Sequence, residues 1–484
     1  MRRLHEPMAS AGVEHPQSLR TSIKVDTYRN YLLILLLVIQ TTTYVDSRVL
    51  SVVLQSIKIE FALSDTELGL LTGIAFSLFY AAVGLPIARW ADTGNRVTII
   101  TITTALWSLA TALCGAAGNF FQLLAIRVCV AVGEAGCIPP AQSLLADYFT
   151  RAERPRAVAR YMLAVPIATL IGYFLAGWLS EMYGWRTTFV IVGMPGVLLS
   201  TLAWCTLREP RNGPIRIEPD TSVTVQRPAR ILSDSEHQRG LPPAKSRPTL
   251  AVVLRTLWAS PTFRHLVIFY SIVSFFGYGV APWKPAFFAR SYGMSPGVLG
   301  TWLAVVLGVS GLLGTYFGGE FVARYFGNDE RRQLRTIALG YSSFGLVSAC
   351  IYISPNQYVA FGFMGLAMLG GSTAIGPLFA LIQTIVPTHM RAQAVAVIYL
   401  FANLIGMGLG PLAVGVLSDA MHPYLGQESL RYALLSMSFG YLWGGWHAWR
   451  AARTVLDDLA AVESAEPTPP ISASTSRPRM GMTG

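Results

Sequence analysis

Charge is scarce in this sequence. Only 13% of its 484 residues are Asp, Glu, Lys or Arg, against 52% hydrophobic, and the mean hydropathy is +0.46. Soluble chains carry about a quarter charged residues, so a string of water-soluble domains is excluded. Cysteine is also sparse: the five, Cys114, Cys129, Cys137, Cys205 and Cys350, all fall in apolar runs. They form no metal spacing and no disulfide framework, and read as small packing residues. No Gly-rich phosphate loop runs into Lys-Ser/Thr, which removes an ATP-driven engine. No nucleophile–base pair stands in a soluble setting, so neither enzyme activity nor a cofactor or metal is expected. Residues 1–29 lack the apolar core of a signal peptide, and no cleaved leader is expected.

What is present is apolar length. Twelve runs suffice to cross ~30 Å of hydrocarbon at ~1.5 Å per residue. They are 30–54, 66–88, 97–117, 119–146, 157–180 and 186–207, then 265–288, 296–323, 335–354, 356–385, 392–418 and 430–450. The chain therefore divides into an N-terminal tail (1–29), a six-helix bundle (30–207), a linker (208–263), a second six-helix bundle (264–450) and a C-terminal tail (451–484). The stretch Glu209 to Lys245 is rich in Pro, Arg, Ser and Asp without apolar periodicity. It reads, like the tail from Glu463, as a disordered tether.

The net charge of +11 is not spread evenly. With the N-terminus placed in the cytoplasm, 30 of the 37 Lys and Arg fall on the cytoplasmic side of this threading. The seven exceptions are Arg48, Lys58, Arg127, Arg186, Lys284, Arg290 and Arg431. This positive-inside asymmetry sets the orientation and puts both termini in the cytoplasm. It also accounts for the charge without a nucleic-acid partner, which would need a basic face on one soluble domain.

The two halves resemble one another. Pro140, Arg154 and Ala157-Val158-Ala159 recur 237 residues later as Pro377, Arg391 and Ala394-Val395-Ala396. Gly172, Gly177 and Leu179-Ser180-Glu181 recur at an offset of 238 as Gly410, Gly415 and Leu417-Ser418-Asp419. Such a repeat implies two related six-helix units in the same orientation. One position breaks the likeness: Glu134 aligns with Gly371. Ion or proton handling is therefore expected in the N-terminal half.

Three charges lie deep in that half. Arg127 and Glu134 are seven residues apart in one apolar run, so they share a helix face at ~10 Å separation. Asp46, in the first run, sits at the depth of Arg127, ~12 Å from the outer end, and an Asp–Arg pair there would neutralise both. A charge in hydrocarbon costs about 3 kcal/mol or more and is kept where it faces a bundle interior or a wet path. Burial and a nearby arginine act oppositely on a glutamate's proton affinity, the property a proton-coupled carrier needs. A static polar anchor between helices is the alternative.

The second loop reads Ala88-Arg89-Trp90-Ala91-Asp92-Thr93-Gly94-Asn95-Arg96. It resembles the signature between the second and third helices of the major facilitator superfamily. Asp92 can pair with Arg96 or cap a neighbouring helix, and we expect the two to act in gating. Further runs are similar to the bacterial branch of the Spinster-type family. They are Gly69-Leu70-Leu71-Thr72-Gly73, Tyr80, Gly84-Leu85-Pro86-Ile87-Ala88-Arg89, Gly133-Glu134-Ala135-Gly136, Gly184-Trp185-Arg186, Asn403-Leu404-Ile405-Gly406 and Gly410-Pro411. The resemblance implies the major facilitator fold: an all-α membrane protein of twelve transmembrane helices in two pseudo-symmetric bundles. It also implies proton coupling through Asp46, Arg127 and Glu134, and a location in a bacterial inner membrane.

The sequence departs from the family twice. The family's first-helix Asp-Arg is Asp46-Ser47-Arg48 here, which turns the cation by ~100°. After Gly318-Gly319, Ala323-Arg324 stands where an acid is common.

Tyr80, Lys284 and Asn403 are weaker candidates for substrate contact. Lys284 has two roles open, greeting an anionic group or snorkelling to the interface beside Trp283; snorkelling is the expected one. Gly406, Gly408 and Gly410 are expected to permit close helix packing. Ser64 with Glu67 resembles a capping box, and His265 and His447 read as isolated.

The expectation is a monomeric secondary carrier with a small-molecule or lipid-like substrate, protons as the coupling ion and membrane lipids around it. An uncoupled facilitator and a transporter-fold sensor are the alternatives.

Overall fold

The computed structural model describes residues 16–150, 152–212, 250–326, 329–373, 375–386 and 390–465. The linker core and the tail beyond Ala465 lie outside the described residues. All described elements are helical, and twelve cross the molecule. The first six are α1 (Pro16–Phe61), α2 (Asp65–Thr93), α3 (Arg96–Cys114), α4 (Phe120–Tyr148), α5 (154–183) and α6 (185–206). The second six are α7 (Pro261–Tyr292), α8 (Pro296–Phe326), α9 (Glu330–Ile353), α10 (357–384), α11 (391–425) and α12 (429–465). Helix α1 starts inside the stretch read as a tail, and a ten-residue helix, Leu250–Ala259, lies inside the stretch read as linker.

The breaks have local causes. α5 and α6 run together except at Gly184, whose φ of 77° only glycine adopts cheaply. α2 is interrupted at Gly73, and α4 at Ala135 to Cys137, directly after Glu134. α11 carries a π-helical stretch, Ala402–Leu409, that contains Asn403 and ends at Gly410-Pro411. Such stretches are frequent at functional sites.

The sequence repeat becomes a symmetry of contacts. Gly172 of α5 lies against Arg48 and Val45 of α1, and its counterpart Gly410 of α11 lies against Gly279 of α7. Gly177 meets Gly300 of α8 across the bundles, and Gly415 meets Asp65 of α2. Between apolar helices in lipid no hydrophobic drive remains, so close approach at small residues supplies the packing energy. The aligned acids behave alike. Asp419 accepts from the amides of Asp65 and Thr66 at 2.9 and 2.7 Å, capping α2, and Glu181 accepts from the Gly297 amide at 2.6 Å, capping α8. Each bundle thus caps a helix of the other.

These contacts lie at the face opposite the one where α1 enters and α12 leaves; we call the two the distal and terminal faces. Asp65 anchors the distal closure. It accepts from Lys58 at 2.5 Å, from both terminal nitrogens of Arg290 at 2.7 and 2.8 Å, and from the Ser418 hydroxyl at 2.6 Å. Arg290 also donates to Gln55 at 2.7 Å. The capping box is present on the same turn, Ser64 and Glu67 each bonding the other's backbone amide. At the terminal face, among the described residues, the ion pairs of the first bundle close on its own helices and the linker's first turn.

Two pairings differ from expectation. Arg96 does not pair with Asp92. It is fully buried, binds Asp147 at 2.7 Å, and holds Glu209 through its guanidinium and through its backbone amide at 2.7 Å. Asp92 is exposed, and its backbone carbonyl accepts from Arg211 at 2.8 Å. A helix end demands partners for its carbonyls, and the linker's first turn supplies them. His265 and His447 are not isolated: α7 and α12 bring their Nδ1 atoms to 3.0 Å.

Candidate functional site

A cavity of about 640 Å³ lies between the bundles, walled by α1, α2, α4, α5, α7 and α11. Its chemistry is concentrated on the first bundle. Arg127 donates to Asp46 at 2.5 Å, both side chains being buried. The guanidinium also lies over the Phe76 ring, 5.5 Å from its centroid. Matched depth in two helices therefore produces the neutralising pair.

Glu134 completes the group. It ends the first segment of α4, where close contacts of Gly133 with Trp107 and of Gly136 with Thr103 press α4 onto α3. Its carboxyl lines the cavity and reaches that of Asp46. Asp46 Oδ1 and Glu134 Oε1 are both buried without a donor in reach. A hydrogen shared between the two carboxyls exists only when one of them is protonated. The arrangement is one arginine facing two carboxyls, with a single exchangeable proton as the difference between balance and excess negative charge.

Tyr80 and Asn403 line the same cavity, Tyr80 stacked on Phe76 at 5.9 Å. Lys284 follows the lining residues Ala281 and Pro282 and is half-buried. Its neighbour Trp283 is not an interfacial anchor: it is fully buried and donates to the Pro411 carbonyl at 3.1 Å. Asp92 and Arg96 stand apart from the cavity at the terminal face. Sequence reasoning missed Tyr161, which donates to the lining residue Gln40 at 2.6 Å, and the linker pair Glu209 and Arg211. It also missed the distal cluster around Asp65. Among the described residues no group of three or more metal-ligating side chains occurs.

Cavity, repeat and buried charges define a membrane carrier, and the comparisons with known proteins agree. Residues 36–411 match the family model of the Major Facilitator Superfamily. The MFS-type efflux pump of Mycolicibacterium smegmatis is 31% identical over 406 residues, covering 83% of this chain and 87% of the pump. Protein spinster homolog 1 of Xenopus laevis is 26% identical over 439 residues, covering 86% and 79%. A crystal structure of a bacterial homolog of the human lysosomal transporter Spinster, inward-facing and unoccupied, superposes with a TM-score of 0.74 at 29% identity. That match covers 89% of this chain and 98% of the homolog.

The chain belongs to the Major Facilitator Superfamily. Within it, it is a Spinster-type transporter, an integral membrane protein that handles small molecules and is not an enzyme.

Proposed function

We propose that this protein is a proton-coupled secondary carrier working as a monomer by alternating access. It moves an amphipathic or lipid-like molecule, or an organic anion, across the bacterial inner membrane, with the terminal face cytoplasmic. The observation that carries the reading is the Asp46–Arg127–Glu134 group in the cavity wall. With Glu134 protonated, its hydroxyl donates to Asp46 Oδ1 and the group carries no net charge, which a dry, closed site tolerates. With Glu134 ionised, two carboxylates face one guanidinium, and the excess charge favours a state in which the site is wet. One proton thus biases which face opens, and rocking of the bundles exposes the cavity to each side in turn. Aromatic lining by Tyr44, Tyr80 and Tyr278 supports a substrate with an apolar body. Asp92 and Arg96 hold the ends of α2 and α3 at the terminal face, a position that suits a part in gating.

The test uses proteoliposomes and the organic compound that best stabilises the purified protein in a thermal-shift screen. A carrier accumulates it when a pH gradient is imposed, a facilitator only equilibrates it, and a sensor does neither. Glu134→Gln is expected to abolish accumulation while sparing exchange. Undiminished uphill transport by that variant removes Glu134 from the mechanism.

A further inference from the structure

Seven basic side chains break the positive-inside pattern, and five of them have an acid partner. Lys58 and Arg290 share Asp65, Arg127 has Asp46, Arg186 has Glu60, and Arg431 has Glu428. Arg48 and Lys284 have none among the described residues. Arg48 lines the cavity, its Nε is buried without a partner, and its guanidinium lies over the Tyr173 ring at 5.7 Å. Its stem rests in the space left by Gly172, where a Cβ would stand 3.1 Å from it. Two residues beyond Asp46 on α1, it projects ~200° around the helix from the coupling group, so Asp46 cannot serve it. Lys284 is half-buried on α7, next to the lining residues Ala281 and Pro282, in the stretch of α7 that packs against α1. An unpaired guanidinium in the wall of a low-dielectric cavity, with a second unpaired cation on the adjoining helix, is costly without an anion beside it.

We infer that Arg48 and Lys284 build an anion subsite, and that the molecule transported is an amphipathic anion with its acidic head on Arg48. Its apolar body then lies along Tyr44, Tyr80, Tyr278 and Met407. The guanidinium takes a planar or tetrahedral oxyanion through paired hydrogen bonds, while Lys284 contributes charge rather than shape. Cavities of ~300–1,000 Å³ hold drug-sized ligands, and the volume of about 640 Å³ here admits one ring system or a folded single chain. The subsite deepens the carrier reading and rests on it only for the word "transported"; binding itself is independent of coupling.

The experiment measures equilibrium binding to the full chain in nanodiscs, using decanoate, decyl phosphate and decyltrimethylammonium. Both anions are expected to bind at millimolar concentration or better and the cation not to bind. The ratio of decanoate to decyl phosphate affinity reports whether the head is a carboxylate or a phosphate. Arg48→Gln should weaken the anions at least tenfold, Lys284→Gln by about threefold, and Arg48→Lys, which keeps the charge but not the paired hydrogen bonds, by about threefold as well. Equal binding of anions and cation, no anion binding at 10 mM (roughly the weakest affinity that such a paired contact allows), or unchanged affinity in Arg48→Gln overturns the proposal. If Arg48→Gln does not fold, Lys284→Gln and Arg48→Lys carry the same comparison. Failure of the carrier reading looks different: the anions bind but no pH gradient drives their accumulation.

Discussion

Asp65→Asn should open the distal face. In the closed state Asp65 is 2% exposed and Arg290 6%, so this is a buried pair, and it joins the two bundles. The substitution keeps the shape and removes one charge, leaving Arg290 and Lys58 facing each other across a neutral amide. Removing one partner of a buried pair costs about 3–5 kcal/mol, most of it the unpaired charge left behind. In a distally open state the same groups are hydrated, so little of that cost applies there. Taking about 3 kcal/mol, the equilibrium moves roughly a hundredfold, and a closed-to-open ratio of 99:1 becomes about 1:1. Arg290→Gln leaves Asp65 with Lys58 and should shift it less, by about tenfold (~1.4 kcal/mol). Pulsed EPR distances between labels at Phe121→Cys and Tyr424→Cys, exposed distal sites on α4 and α11, report the two populations in a background lacking the five native cysteines. A second, longer distance is expected in Asp65→Asn. If thermal stability falls while the distance distribution stays single and unchanged, the cluster braces the fold and does not gate it.

Asp46→Asn strands Arg127 in the protein interior and should cost about 3–5 kcal/mol, measured by thermal unfolding in detergent. The double variant Asp46→Leu, Arg127→Leu should regain most of that stability yet fail to accumulate substrate, and uphill transport by it would remove the pair from coupling. Glu209→Gln leaves Arg96 with Asp147 as its acid partner, beside the bonds to Ser143, and should lower stability by about 2–3 kcal/mol at neutral pH. Burial pushes the Glu209 carboxyl up, but the hydrogen bonds and charge of Arg96 outweigh it and hold it below its ordinary 4.5. A depressed acid stabilises in full above about pH 4.5 and loses the effect as pH falls through its folded-state value. Unfolding temperatures between pH 7 and 3 should therefore converge for wild type and Glu209→Gln at the acid end; parallel curves would show that Glu209 is not the titrating group.

Depth along a helix is readable from sequence because rise per residue is fixed, and that is why the pairing of Asp46 with Arg127 is legible there. The repeat was readable for a similar reason: Gly172 and Gly410 mark the same close crossing in each half. Pairing across loops was not readable. Asp65 stands between the capping residues Ser64 and Glu67 with nothing local to mark it, and its partners Arg290 and Ser418 lie 225 and 353 residues away. Asp92, four residues off, is one partner that spacing offers Arg96, while its partner Glu209 stands 113 residues on in a stretch that reads as a tether. Local spacing carries no information about which distant acid a buried arginine meets. The seven exceptions to the charge asymmetry did carry a signal, since a cation on the wrong side of a membrane needs a reason to stay.

Those exceptions also divide the labour between the bundles. Distal closure is shared: Glu181 caps α8, Asp419 caps α2, and each bundle contributes one cap by virtue of the repeat. Charge chemistry is shared unequally. Glu134 has Gly371 as its counterpart, and the residue opposite Gly410 is Gly279 where the first bundle places Arg48 against Gly172. A carrier built from a duplicated bundle needs symmetry only where the two halves must close on one another and release. A proton site and an anion site gain nothing from being duplicated, because two copies would raise the charge buried per cycle without changing the direction of coupling. The second bundle supplies Tyr278, Asn403 and Met407 to the cavity wall, mainly shape, with Lys284 beside the wall as its one proposed charge. On this division, transplanting Glu134 to Gly371 should add a buried charge and no second coupling site.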